Sequence, residues 1–165
     1  MRAAFAMLLA VVIASCGPSA SQIKEAKSAE YTAQPKQILD LAVQVAQLKY
    51  KIGAIEADAL KFATAQQWYS REGGRISPNT DGNNGDFVNA GGGDVLVSLI
   101  VAVHLLPRDR VVVSVTPKTF ELIAGSPAPR ELAPDDPNLP PWVLGRADSL
   151  ALEIHKHAKP YIWKP

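Results

Sequence analysis

One thiol and three imidazoles are the groups in this chain whose chemistry could go beyond charge and packing. The thiol, Cys16, follows Ile13-Ala14-Ser15 and has no second Cys to pair with. His104 ends an apolar run, and no acid or His stands near it at ligand spacing. His155 and His157 are two apart in a helical pattern, so they point to different faces. Zinc sites on helices use ligands three or four apart. Asp81-Gly82-Asn83-Asn84-Gly85-Asp86 has the flavour of a calcium loop. It fails the pattern, because the fifth place is Gly85, the sixth Asp86 and the twelfth Gly92. Gly91-Gly92-Gly93 precedes a strand rather than a helix, so no helix dipole meets a phosphate there. Ser70, Ser98, Ser114 and Ser149 lack a nucleophile elbow. Arg108, Asp109 and Arg110 read as a solvated charged turn. The expectation is therefore no catalytic residue, no metal, no cofactor and no enzyme. Trp68, Tyr69 and Trp142 stand at element ends, where aromatics either fill the core or anchor a partner. They are the candidate partner contacts.

The setting of Cys16 is more specific. Arg2 supplies a positive charge, Ala3 to Ile13 is uninterrupted and apolar, and Ala14 and Ser15 are small. That is the order of a secretory signal. The run is about half of the ~20 residues that a spanning helix needs. A large aliphatic residue and two small ones before Cys form a lipobox, and on it the chain resembles the bacterial lipoproteins. The resemblance implies that residues 1–15 are a signal peptide and that cleavage precedes Cys16. It also implies that the Cys16 sulfur carries diacylglycerol and the new amine is acylated. One acyl chain holds a protein only marginally, at about 0.8 kcal/mol per methylene, whereas two or three hold it permanently. In enteric members of the class an Asp after the Cys retains the protein in the inner membrane. Gly17 stands there instead, which points to the periplasmic face of the outer membrane.

Removing residues 1–15 removes one Arg, leaving 16 basic and 16 acidic residues. A balanced chain gives no electrostatic reason to bind nucleic acid or a polybasic membrane site. About 150 residues make one domain with a real core. With Cys16 lipidated there is no disulfide, so folding rests on packing.

The elements that must position these groups follow from periodicity. Residues 16–33 are the lipidated N-terminus and a tether, Ser-, Ala- and Lys-rich, with a helical turn over Gln22–Lys27 as the alternative. Ala29–Thr32 suits a short edge strand. Pro35 opens a helix to Leu48, with Ile38, Leu41, Ala42, Val45 and Leu48 on one face and Leu39, Val43 and Ala46 widening it. Tyr50–Ala57 and Leu60–Ser70 read as strands, the second with Leu60, Phe62, Thr64, Gln66 and Trp68 on one face. Its Ala content also suits a helix. Residues 71–93 hold seven Gly and read as a mobile loop. Asp94–Leu106 is apolar on nearly both faces, which places it centrally in a sheet. Arg110–Thr116 returns as its hairpin partner. Pro117 to Pro141 carries seven of the thirteen Pro; Lys118–Ile123 suits a short strand or turn, and the rest reads as an extended connector. Pro141 opens a last helix with Val143, Ala147, Leu150, Ala151, Ile154 and Ala158 in a stripe. The tail Tyr161-Ile162-Trp163 is suited to packing back on the sheet.

This order predicts a single α+β domain over 34–165. It has two layers, an antiparallel sheet of about four strands and two amphipathic helices on one face. The helix Pro35–Leu48, the pattern Tyr50-x-Ile52-x-x-Ile55-x-x-x-x-x-x-Phe62-x-Thr64 and the Val-rich hairpin together resemble the helix-grip domains of outer-membrane assembly lipoproteins. The resemblance covers about residues 35–120. It has no diagnostic motif, so a barrel-assembly role is not carried over. The functional expectation is a non-catalytic envelope lipoprotein that binds an envelope protein or a cell-wall component. The loop and the sheet edge are its expected surfaces. The alternative is a lipid-tethered carrier of a small molecule. An apolar cavity between the last helix and the sheet would favour the carrier, and a filled core the binding domain.

Overall fold

A computed structural model describes residues 18–76 and 91–164. In chain order it has α1 (Ala20–Ser28), β1 (Glu30–Tyr31), α2 (Pro35–Gln47), β2 (Ile52–Glu56), β3 (Lys61–Thr64) and β4 (Gln67–Tyr69). There follow β5 (Val95–Leu106), β6 (Arg110–Glu121), β7 (Arg130–Leu132) and α3 (Pro141–Ala158). Residues 1–17, which contain the signal sequence and Cys16, lie outside the described residues, as do 77–90 of the expected loop with Asp81–Asp86.

The fold is α+β with one antiparallel sheet. Strand order is β1-β6-β5-β3-β2, with β4 added to β5 and β7 added to β6. β5 and β6 form the long central hairpin, in unbroken register from Val95↔Glu121 to Leu106↔Arg110. The three-residue tip is possible because Arg108 and Asp109 adopt positive φ.

On β5 the face Val95, Val97, Leu99, Val101 and Val103 is buried, as are Val111 and Val113 of β6, while Val115 on the same face is half-buried. They meet Ile38, Leu39, Ala42, Val45 and Ala46 of α2 and Val143, Ala147, Leu150, Ile154 and Ala158 of the predicted α3 stripe, whose Ala151 is buried outside this cluster. Leu48 is the exception in α2, 74% exposed just past the helix end. The opposite face of the sheet carries Trp68, Leu96, Ile100, Ala102, Val112 and Phe120, all half-buried.

The expected counts of four strands and two helices are corrected to seven and three among the described residues. The segment read as a tether instead forms α1. Ser19 and Gln22 make a reciprocal capping box at its start. Ala26 is buried, and Lys27 pairs with Asp148 of α3. The helix read as the alternative is thus the one found, and it belongs to the folded unit.

β6 runs on past Thr116 to Glu121, through Pro117 and into the segment Lys118–Ile123 that reads as a short strand or turn. Pro117 falls between the stretches of β6 that bond β1 and β7. There β6 is an open edge, the place in a sheet that tolerates a residue without N–H. The Pro-rich connector contributes β7, whose Leu132 is buried. The aromatic tail closes the other edge as expected. Ile162 bridges Tyr31, and the N–H of Trp163 donates to Glu30 O at 2.9 Å.

The strand expected over Leu60–Ser70 is two strands. β3 pairs Ala63 with Ile100, and β4 pairs Gln67 with Val97. Four steps on one side match three on the other, so one extra residue is accommodated at Ala65–Gln66. Because side chains alternate, a single extra residue exchanges the two faces.

Candidate functional site

That bulge builds the site. Beyond Thr64 the chain steps away from β5, and the N–H of Ala65 donates to Lys51 O at 2.7 Å. The N–H of Leu99 then has no strand partner opposite. Thr64 Oγ1 accepts from it at 2.9 Å, so the buried backbone group stays satisfied. The step leaves a cleft of about 300 Å³ on the helix side of the sheet. Val97, Leu99 and Thr64 line its inner part. Its walls come from Lys49, Tyr50 and Lys51 after α2, Gln66 and Gln67 at the bulge, and Arg146 of α3.

Tyr69 and Trp142 meet beside this cleft. Their ring centroids are 5.2 Å apart and the planes tilt by 57°. The Arg146 guanidinium lies 4.4 Å from the Tyr69 centroid and 5.1 Å from that of Trp142. Such contacts contribute roughly 0.5–2 kcal/mol each and fix the planar cation. Arg146 Nη2 also donates to Gly73 O at 3.1 Å, and Trp142 Nε1 donates to Arg71 O at 2.8 Å. α3 thereby holds the turn Ser70–Gly74, which is closed by Ser70 N–H to Gly74 O at 2.8 Å. Glu121 secures the turn from the sheet side, pairing with Arg71 at 3.1 Å and Arg130 at 2.9 Å.

Lys49, Lys51, Arg75 and Arg146 line the cleft, and no carboxylate does. Arg75 is aimed by Gln67, whose Oε1 accepts from Arg75 Nε at 2.8 Å. Gln67 is fixed in turn, its Nε2 donating to Ile76 O at 2.7 Å. Burial pushes the Tyr50 phenol above its ordinary pKa, and the adjacent Arg146 opposes the shift. Tyr50 is thus a neutral donor beside a fixed guanidinium. The lining has hydrogen-bond donors and positive charge. It holds no nucleophile activated by a base.

The sequence-predicted residues separate. Tyr69 and Trp142 are brought together, with Tyr69 only 7% exposed. Trp68 was expected to share a face with Phe62 and Thr64. It lies on the other face of the sheet, opposite Leu96, because the bulge exchanges the faces. His104 is exposed, its Nε2 2.7 Å from Ser114 Oγ. His155 is buried, its Nδ1 3.0 Å from the Tyr31 hydroxyl, while His157 is exposed on another face of α3. No group of three His, Cys, Asp or Glu among the described residues is arranged to hold a metal.

Sequence reasoning missed Arg146, Tyr50, Lys49, Lys51 and Arg75. Arg146 was within reach, since it stands four residues after Trp142 and so shares its face of the helix. Tyr50 and Lys51 fall in the expected strand Tyr50–Ala57, and Lys49 falls between that strand and the expected helix. Arg75 carries no sequence signal.

A second groove of about 550 Å³ lies at the tip of the β5–β6 hairpin, between Thr32–Pro35 and Leu105–Val111. It contains none of the aromatic candidates. No helix among the described residues is long and apolar enough to cross a membrane. No protein-family model matches the chain, and no curated protein matches it.

Proposed function

We propose that this is an exported, non-catalytic binding protein of the cell envelope. Lipidated Cys16 holds it on the periplasmic face of the outer membrane. The domain presents the cleft at the β3–β4 bulge to an envelope protein or a cell-wall component. The cleft itself carries the binding half of this reading. It is a concave opening at the helix–sheet interface, walled by side chains held in place by second partners. Ile13-Ala14-Ser15-Cys16 supports the anchoring half.

The carrier reading asked for an apolar cavity between the last helix and the sheet. Val143, Ala147, Leu150 and Ile154 of α3 instead pack into one core with the sheet residues. The cleft is walled by charged and amide groups, which suits recognition of a polar group better than storage of an apolar cargo.

Cys16→Ala tests the anchor. The variant is expected to leave the membrane fraction and to lose labelled-palmitate incorporation. Unchanged retention and labelling would refute it. For binding, a photoreactive residue at Gln66, exposed at the cleft mouth, is expected to crosslink an envelope component. Crosslinking no greater than from a photoreactive residue at Leu144, exposed on α3, would refute a role for the cleft.

A further inference from the structure

We propose that the cleft at the β3–β4 bulge is a binding site for a small organic dianion, a phosphomonoester or a dicarboxylate. The inference rests on the cleft's role as a binding site proposed above, and among its occupants it selects a small anionic group over a protein.

Charge is the first argument. Lys27, Lys61, Arg71, Arg110, Arg130 and Lys156 are each held by a carboxylate. The other ten described lysines and arginines have no such partner among the described residues, and four of them, Lys49, Lys51, Arg75 and Arg146, line one opening. Glu153 is the nearby acid. It feels Lys49, and its own ion pair is with Lys156 at 2.9 Å. Four like charges around one cleft repel one another, and an anion bearing two charges relieves that repulsion better than one bearing a single charge.

Preorganisation is the second argument. Arg146 is stacked on Tyr69 and Trp142, and one N–H is committed to Gly73 O. Its fork also meets the Tyr50 hydroxyl, and the donors left over from these two contacts are the ones a ligand can take. Arg75 is oriented through Nε by Gln67. Planar guanidinium groups fixed this way match the paired oxygens of phosphate and carboxylate, and little side-chain entropy remains to be lost on binding.

Size is the third. About 300 Å³ is at the small end of ligand sites, which suits a compact ligand. Val97 and Leu99 give a short carbon skeleton something apolar to lie against.

The test uses the full chain in detergent at low ionic strength. Inorganic phosphate, glycerol 3-phosphate and succinate are titrated separately, with acetate as the monoanion. Calorimetry and tryptophan fluorescence follow binding. At least one dianion is expected to bind saturably, tighter than acetate by about tenfold, and to weaken with added salt. Glycerol 3-phosphate ahead of succinate identifies the phosphomonoester, and the reverse identifies the dicarboxylate. Lys49→Ala/Lys51→Ala removes two exposed side chains without touching the core. It is expected to weaken binding by about tenfold, the effect of two partly exposed charge contacts. Arg146→Gln is expected to abolish binding. No saturable binding by any dianion, equal binding of acetate, or an unchanged affinity in the double Lys variant would each overturn the proposal. If no anion binds while Gln66 crosslinking persists, the ligand class is wrong and the binding role stands. Loss of both removes both.

Discussion

Thr64 Oγ1 accepts a hydrogen bond from the backbone N–H of Leu99 across the gap that the bulge opens between β3 and β4. Both residues are buried, at 4% and 2% exposure, so water cannot replace either partner. Thr64→Val keeps the shape and removes the acceptor. An orphaned buried N–H costs about 1–3 kcal/mol. Urea unfolding is expected to show that loss, and Thr64→Ser is expected to recover most of it. A Val variant as stable as the parent would mean that the bulge does not depend on this bond.

Gly73 has φ of +91°, and a Cβ there would stand 3.1 Å from the Trp142 ring. Gly73→Ala is expected to cost about 1–3 kcal/mol from backbone strain and to shift Trp142 fluorescence as the ring is displaced. Gly145 is the counterpart. It lies inside α3, and a Cβ there meets nothing within 4 Å. Gly145→Ala is expected to stabilise the protein by about 0.5–1 kcal/mol. Thermal unfolding of the two variants should therefore move in opposite directions.

Tyr31 ties the N-terminal segment to α3. Its hydroxyl lies 3.0 Å from Nδ1 of buried His155. Burial, with a smaller contribution from Glu25, raises its pKa from 10.0 to about 12. In the unfolded chain the phenol releases its proton first, so the unfolded state binds fewer protons above pH 10. Stability from this group is intact below pH 10 and falls by about 1.4 kcal/mol per pH unit from 10 towards 12. Tyr31→Phe is expected to be less stable by about 1 kcal/mol at neutral pH and to lack this alkaline component. The two unfolding free-energy curves should converge above pH 10 and cross before pH 12. Parallel curves across that range would contradict the assignment.

These sites show what could be read from the chain. α2, α3 and the β5–β6 hairpin were legible because each buries one broad face, and the period of apolar residues records it directly. Tyr69 and Trp142 were legible as element-end aromatics. The bulge was not, because one extra residue at Ala65–Gln66 leaves the local alternation intact on either side. It therefore sent Trp68 to the wrong face. α1 was obscured because only Ala26 of it is buried, so nine residues carry almost no apolar stripe. β7 was hidden because its strand character comes from β6, which needed a partner for its edge, and from little in Arg130–Leu132 itself. The cationic cleft was least legible of all. Its four charges come from three separated stretches, and only the bulge brings them to one opening.

In the proposed function one modified thiol holds a binding domain at a membrane. Intact mass spectrometry of the mature protein, with sequencing of its N-terminal peptide, tests that most directly. The expected result is a chain beginning at Cys16, with a diacylglycerol on the sulfur and an acyl group on the amine. A free sulfur, or a mature chain that begins at any other residue, would contradict it.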